Sequence, residues 1–147
     1  MQPGRSTRIL TGLAELLHAN NIGTWRPNEP YEAGEIGIIV GDLPPTPDQV
    51  IGLRAYFVEA EGNGDEITAV QVRVRGLPNS TVSCDDIADA ITDRLHYAEP
   101  GHLGEIPVSL IWRYSGPVPM GQDGNRRTER TDNYNIHTLR TTSNVRR

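Results

Sequence analysis

The stretch PMGQDGNRRTERTDNYNIHTLR, residues 119–140, decides how this chain folds and what it is for. A turn-forming Gln-Asp-Gly-Asn segment leads into a run of strand length with almost no alternation of apolar and polar residues. A strand this polar cannot be held mainly by a hydrophobic core. We therefore expect it to be an exposed edge, a disordered tail or a surface that another molecule completes. The last alternative favours an assembly protein over an enzyme.

The polar side chains of this stretch are the candidate contact residues of such an assembly: Arg126, Arg127, Glu129, Arg130, Asp132, Asn133 and Tyr134. They could contact a DNA backbone, or pair with carboxylates of a neighbouring copy. The candidate carboxylates are Asp85, Asp86 and Asp89, for which a solvated helix face is the alternative interpretation. The acidic body favours pairing between copies. We expect the fold to survive Arg130→Glu combined with Asn133→Ala.

Charge is spread unevenly along the 147 residues, whose net charge is −5. Residues 1–125 hold 17 acidic side chains against eight Arg, whereas residues 126–147 hold six Arg against Glu129 and Asp132. This asymmetry favours head-to-tail attraction between copies, and the acidic total argues against general nucleic-acid binding. The length fits a single domain, 1–147, with an Arg-rich tail from residue 140.

The number of cysteines and the hydropathy of the chain indicate the cellular compartment in which the protein is made. The single Cys84 excludes an internal disulfide, so a reducing compartment is acceptable. No apolar run approaches membrane-spanning length, and the N-terminus lacks the apolar core of a signal peptide. We expect a soluble protein made inside a cell, without a membrane partner.

Hydrophobic periodicity predicts helices at residues 6–21 and 83–96, with Ser6 and Ser83 as N-caps. Strands are predicted at residues 36–40, 50–59, 67–75 and 108–114, followed by the polar strand, and a further short strand is possible at 24–26. Proline-rich loops fill residues 41–48 and 116–124. The pattern favours an α/β fold of the α+β kind. A single mainly antiparallel or mixed sheet of five to six strands would carry two main helices on one face.

Catalytic and metal chemistry find little support in the sequence. The four His have no metal-ligand spacing, and the Gln-Asp-Gly-Asn segment lacks the remaining ligands of a calcium loop, so a β-turn is favoured. Cys84 begins a predicted helix, but His96 lies at the opposite end of that helix and cannot act as its base. We expect no catalytic residues, no metal and no cofactor.

Four segments in order resemble a known family. They are ILTGLAELLHANNIGTWRPNEPY (9–31), IIVGDLPPTPDQVIGLRAYF (38–57), CDDIADAITDRLH (84–96) and GQDGNRRTERTDNYNI (121–136). Together they resemble the tail-terminator proteins of long-tailed bacteriophages, also labelled tail-completion or minor capsid proteins. The terminal TTSNVRR is not part of that pattern.

The resemblance implies a structural protein of the virion tail or neck, assembled in the host cytoplasm. Such proteins form a ring, typically a hexamer, that caps the tail tube, stops its polymerisation and offers the head–tail joining surface. The implied partners are other copies, the tail tube protein and the connector or adaptor protein. Genomic DNA would pass through the lumen without specific binding. The alternatives are a head-side adaptor or connector, the tail tube protein itself, or a small nucleic-acid-binding module.

Overall fold

The computed structural model describes residues 2–60, 62 and 64–139, without the side chain of Phe57. Within these residues, two helices and seven strands follow in the order α1 (Arg5–Ala19), β1 (Thr24–Trp25), β2 (Gly37–Val40), β3 (Val50–Ala60), β4 (Glu66–Arg75), α2 (Ser83–Leu95), β5 (Gly101–Leu103), β6 (Ile106–Gln122) and β7 (Thr128–Thr138). The expected Arg-rich tail from residue 140 lies outside the described residues. Neither described helix is long and apolar enough to cross a membrane.

The described strands form one mixed sheet in the order β1-β2-β3-β4-β7-β6-β5. β1, β2 and β3 run parallel, and the remaining neighbours are antiparallel. The predicted α+β fold class, with a mixed sheet and two main helices, is confirmed. The sheet has seven described strands instead of five or six, because residues 24–25 pair with β2 and residues 101–103, where no strand was predicted, form β5.

Both helices pack on the same face of the sheet, here called the covered face, around one apolar core. The buried stripes of α1 and α2 meet inward-facing residues of β2, β3, β4, β6 and β7. Gly12 lets α1 approach β5 closely, since a Cβ at this position would lie 2.7 Å from the backbone carbon of Leu103. The predicted caps differ from the observed ones: Gly4 precedes α1, and Ser83 is the first residue of α2. The Ser83 hydroxyl instead accepts the N–H of Leu77.

The polar strand β7 is an inner strand, paired along its whole length with β4 and along most of it with β6. The expectations of an exposed edge and of a disordered tail are therefore wrong, whereas contact of this strand with another molecule remains a prediction. Its neighbour β6 continues to Gln122 through the segment predicted as a loop. Only the first three residues of β6 pair with β5, so much of β6 forms an outer edge of the sheet. Pro117 and Pro119 lie in this part of the strand, where edge positions tolerate proline.

Neither described helix packs against the other side of the sheet, here called the open face. Register places Gly52, Arg54, Gln71, Arg73, Arg75, Glu129, Asn133 and Asn135 on this side. The proline-rich loop between β2 and β3, residues 41–49, covers the part of the open face around Gly52, where Leu43 lies directly on that glycine. The rest of the open face remains accessible in the single chain.

Candidate assembly interface

Arg130 is the centre of the charge network on the covered face. Its Nη1 lies 3.0 Å from Asp85 Oδ1 and 2.9 Å from Asp89 Oδ1, both on α2. Its Nε donates to Asp132 Oδ2 on the same strand at 3.0 Å. The side chain is buried, with the residue 5% exposed. Arg130 thus fastens β7 to α2 within one chain; we call this contact the α2 latch.

Burial and pairing act in opposite directions on Arg130. Burial lowers the pKa of its guanidinium, but hydrogen bonds to Asp132, Asp85 and Asp89 outweigh this, and the pKa lies above its ordinary value. A buried charge is tolerated only when partners replace its hydration. Three carboxylates provide that replacement, which explains how a charged residue occupies an inner strand.

Asp132 and Tyr134 extend this network to β6 and along α2. Asp132 is 1% exposed and also accepts a hydrogen bond from Arg113 Nη1 at 3.1 Å. The hydroxyls of Tyr134 and Thr92, on α2, lie 2.8 Å apart. Burial raises the pKa of Tyr134 to about 12, so its hydroxyl stays protonated at neutral pH. These polar groups of β7 find their partners inside the molecule.

Two further arginines hold the proline-rich loop against the open face. Arg75 donates to the carbonyl oxygens of Pro44 and Pro47 at 2.7 Å and of Asp48 at 2.8 Å. Arg127 donates to the carbonyl of Pro45 at 2.8 Å and to Asp48 Oδ1 at 3.1 Å. Burial, followed by the charge of Arg127, lowers the pKa of Arg75. We call Arg75 and Arg127, together with these hydrogen bonds to the loop, the arginine clamp.

The Gln-Asp-Gly-Asn segment is a turn built around Asp123, as the β-turn interpretation predicts. Its Oδ1 accepts the N–H groups of Asn125 and Arg127 at 2.9 Å, and its Oδ2 accepts Arg127 Nε at 2.8 Å. Burial raises the pKa of Asp123, but the hydrogen bonds from Arg127 and Asn125 dominate and lower it. The carboxylate therefore aims Arg127 at the proline-rich loop.

Cys84 is buried, and its thiol donates to the carbonyl of Val74 at 3.2 Å. Burial, reinforced by Asp85, raises the pKa of Cys84 to about 12. The thiol is therefore protonated at neutral pH, the opposite of what a nucleophile requires. Among the residues that the structure describes, no three His, Cys, Asp or Glu side chains are placed to share a metal ion.

The predicted contact residues divide by accessibility. Arg127, Arg130, Asp132 and Tyr134 are buried, and Glu129 and Asn133 are half-buried. Arg126, Asp85, Asp86 and Asp89 are exposed. The pairing of arginine with α2 carboxylates, expected between copies, occurs within one chain at Arg130. That any of these residues contacts a neighbouring copy remains a prediction.

Sequence reasoning did not identify Arg75, Arg113 or Thr92 as partners in these networks. The strand sequence QVRVR, residues 71–75, places Arg73 and Arg75 opposite the apolar side of β4. That alternation signalled a polar face. The long-range partner of Arg75, the proline-rich loop, had no signal in the sequence because its approach depends on the parallel pairing of β2 with β3.

Comparisons with known proteins agree with this architecture. Residues 16–140 match the family model described as bacteriophage tail terminator protein. No curated protein sequence matches the chain. A similar solved chain comes from the structure titled "Virion of native gene transfer agent (GTA) particle", with a TM-score of 0.51 and 10% identity. That match covers 68% of this chain and 77% of the other, and at this identity it supports a shared fold. The chain belongs to the bacteriophage tail terminator protein family.

Proposed function

We propose that this chain forms a closed hexameric ring that caps the phage tail tube and stops its polymerisation. The side of the ring that faces away from the tube then provides the surface that joins the tail to the head. The family match over residues 16–140 carries this proposal. Family membership already makes the chain a structural protein of the phage tail, hence a virion component. The proposed role is structural and involves no catalysis.

The two sides of the sheet support a ring of identical copies. One side carries both helices, and the other presents polar side chains and the proline-rich loop. A ring is built from heterologous contacts, in which one surface of a copy meets a different surface of the next. A chain whose opposite sides differ in shape and charge is suited to that arrangement.

The partners follow from the same proposal. One side of the ring meets the tail tube protein and the other meets the connector or adaptor protein of the head, with assembly in the host cytoplasm. The net charge of −5 supports a lumen through which DNA passes without specific binding. The proposed contact residues are the exposed Arg126, Asp85, Asp86 and Asp89. Behind them, the elements that carry these residues are held in place by the buried Arg127, Arg130, Asp132 and Tyr134. The half-buried Glu129 and Asn133 lie on the open face and complete the proposed contact set.

The test uses tail tube protein of the same phage, polymerised with and without the purified chain. Negative-stain electron microscopy measures tube length and inspects the tube ends. We expect shorter tubes with an added ring at one end and no further growth after fresh tube protein is supplied. Tubes that keep growing, or that incorporate the chain along their walls, would rule out the capping role.

A further inference from the structure

The open face carries two neighbouring depressions, the first of them bordered by the proline-rich loop. A cleft of about 300 Å³ is lined by Arg54, Gln71 and Arg73 among others. A groove of about 330 Å³ lies between Tyr56 and Tyr114, with Ala69 and Asn135 also lining it. Both tyrosines are unusually exposed for large side chains, at 49% and 46%. Exposed tyrosine and arginine side chains are enriched where protein surfaces associate.

The arginines of the cleft retain capacity for another partner. Arg54 pairs with Asp42, whose side chain is almost fully exposed, and a surface pair of this kind exchanges readily. Arg73 contacts a single oxygen of Glu129 through Nε and Nη2. A guanidinium has five N–H donors, so further donors remain for a second carboxylate.

The outer surface of α2 carries carboxylates, which complement the arginines of the cleft. It lies on the opposite side of the molecule from the open face. Asp86 and Asp93 are exposed and form no ion pair with any residue that the structure describes. Asp85 and Asp89 meet Arg130 through one oxygen each. Tyr97, just after α2, is 69% exposed. An aromatic side chain thus stands at the end of a row of carboxylates.

The spacing of the two surfaces also agrees. Asp89 precedes Leu95, the last residue of α2, by six residues, about 9 Å at the helical rise of about 1.5 Å per residue, and Tyr97 follows two residues beyond the helix. On β4, Arg73 and Ala69 are separated by four residues, about 13 Å at about 3.3 Å per residue. A helix lying along this strand direction can place carboxylates over the arginine cleft and Tyr97 at the tyrosine groove together.

We propose that the outer surface of α2 on one copy docks onto the open face of the next copy. This inference rests on the proposed ring and names its contact between copies. The α2 latch would support this contact between copies, because Arg130 fixes the position of the helix that carries the docking carboxylates. The contact is heterologous, so it repeats from copy to copy and can close into a ring.

Crosslinking tests the contact without requiring the tail tube. Asp93→Cys and Arg54→Cys are placed in separate full-length chains, which are mixed and treated with a short bismaleimide crosslinker. The native Cys84 is buried, and the unmodified chain measures its background. We expect far more crosslinks between the two variants than within either one, because a heterologous contact joins two different surfaces. Equal yields, or no crosslink above background at high protein concentration, would overturn the proposed contact.

A charge exchange tests the same contact on tail tubes. The helix variant Asp86→Arg/Asp93→Arg and the face variant Arg54→Glu/Gln71→Glu should each lose capping, whereas the four substitutions combined should restore it. Glu29→Arg/Glu32→Arg, with the same charge change near β2, is the matched control and should cap normally. Normal capping by the helix variant would overturn this contact while leaving the ring intact. Failure of the unmodified chain to cap would instead reject the proposed function.

Discussion

The Nη1 atom of Arg130 lies 2.9 Å from Oδ1 of Asp89, which joins a buried inner strand to an exposed helix surface. The arginine is neutralised from three sides, by Asp85, Asp89 and Asp132. The charged strand β7 can therefore be an inner strand of the sheet, because its buried arginine finds carboxylate partners within the same chain. The outer carboxylates of α2 that remain are available to another molecule.

Replacing Arg130 with Met should destabilise the fold, because Asp132 then stays buried with Arg113 as its remaining charged partner. Removing one member of a buried ion pair typically costs about 3–5 kcal/mol. We expect a loss of that size in the free energy of unfolding, measured by urea denaturation. Arg126→Met, at an exposed position, is the control and should change it by less than about 0.5 kcal/mol. Equal stability of the two variants would contradict the latch.

Arg130→Glu combined with Asn133→Ala, expected from the sequence to leave the fold intact, should instead unfold the chain. A glutamate at position 130 would face Asp85, Asp89 and Asp132, and three like charges would surround a buried carboxylate. Loss of the far-ultraviolet circular dichroism signal at room temperature is the expected result. A folded double variant would mean that the network contributes little to stability.

Arg75→Met should release the proline-rich loop, because three carbonyl oxygens lose their donor. Hydrogen exchange measured by mass spectrometry should show faster exchange in residues 41–53, with α1 unaffected. Arg94→Met removes an exposed arginine of α2 and is the control. Unchanged exchange in the Arg75 variant would show that Arg127 alone holds the loop.

Gly12→Ala should weaken the packing of α1 on β5. The added methyl would lie 2.7 Å from the backbone carbon of Leu103, where no flexible side chain can yield. Overpacking of this kind costs about 1–3 kcal/mol, whereas alanine normally favours a helix. Gly34→Ala, with nothing within 4 Å, is the matched control. Thermal melting should rank the two variants, and a more stable Gly12 variant would refute the close approach.

Stability should fall in alkaline solution because Cys84 and Tyr134 have raised pKa values in the folded chain. Both pKa values are about 12, against ordinary values of 9.0 and 10.0. Above pH 9 the unfolded chain therefore binds fewer protons than the folded chain, and stability declines as pH rises towards 12. Each group contributes at most about 1.4 kcal/mol per pH unit within its own window.

Urea denaturation between pH 9 and 11 measures this decline. Cys84→Ala and Tyr134→Phe should each show a shallower loss of stability with pH than the unmodified chain. Identical slopes in all three proteins would show that neither group is responsible.

The sequence predicted those elements whose pattern is local. The stripes of both helices, the strands β3 and β4, and the turn at Asp123 follow from hydrophobic spacing and turn chemistry. β6 was predicted to end at Tyr114, because prolines and glycines follow. The strand continues since an outer edge needs no N–H donor at proline. Local pattern could not show which strand would lie at that edge.

The position of β7 could not be read from its composition. Polarity signals an exposed strand when partners are unknown, and the partners of Arg130 lie more than 40 residues earlier on α2. The acidic row on α2 and the arginine-rich strand were each recognised as charged. Only the fold shows that one arginine and two of those carboxylates meet within one chain. What remains exposed is the open face, which the alternation in β4 did indicate.

Electron cryomicroscopy of tail tubes grown with the chain tests the central claim most directly. We expect a closed ring of copies at one end of each tube, with α2 of every copy against the open face of its neighbour. Tubes with bare ends, or with isolated copies scattered along their walls, would contradict the account.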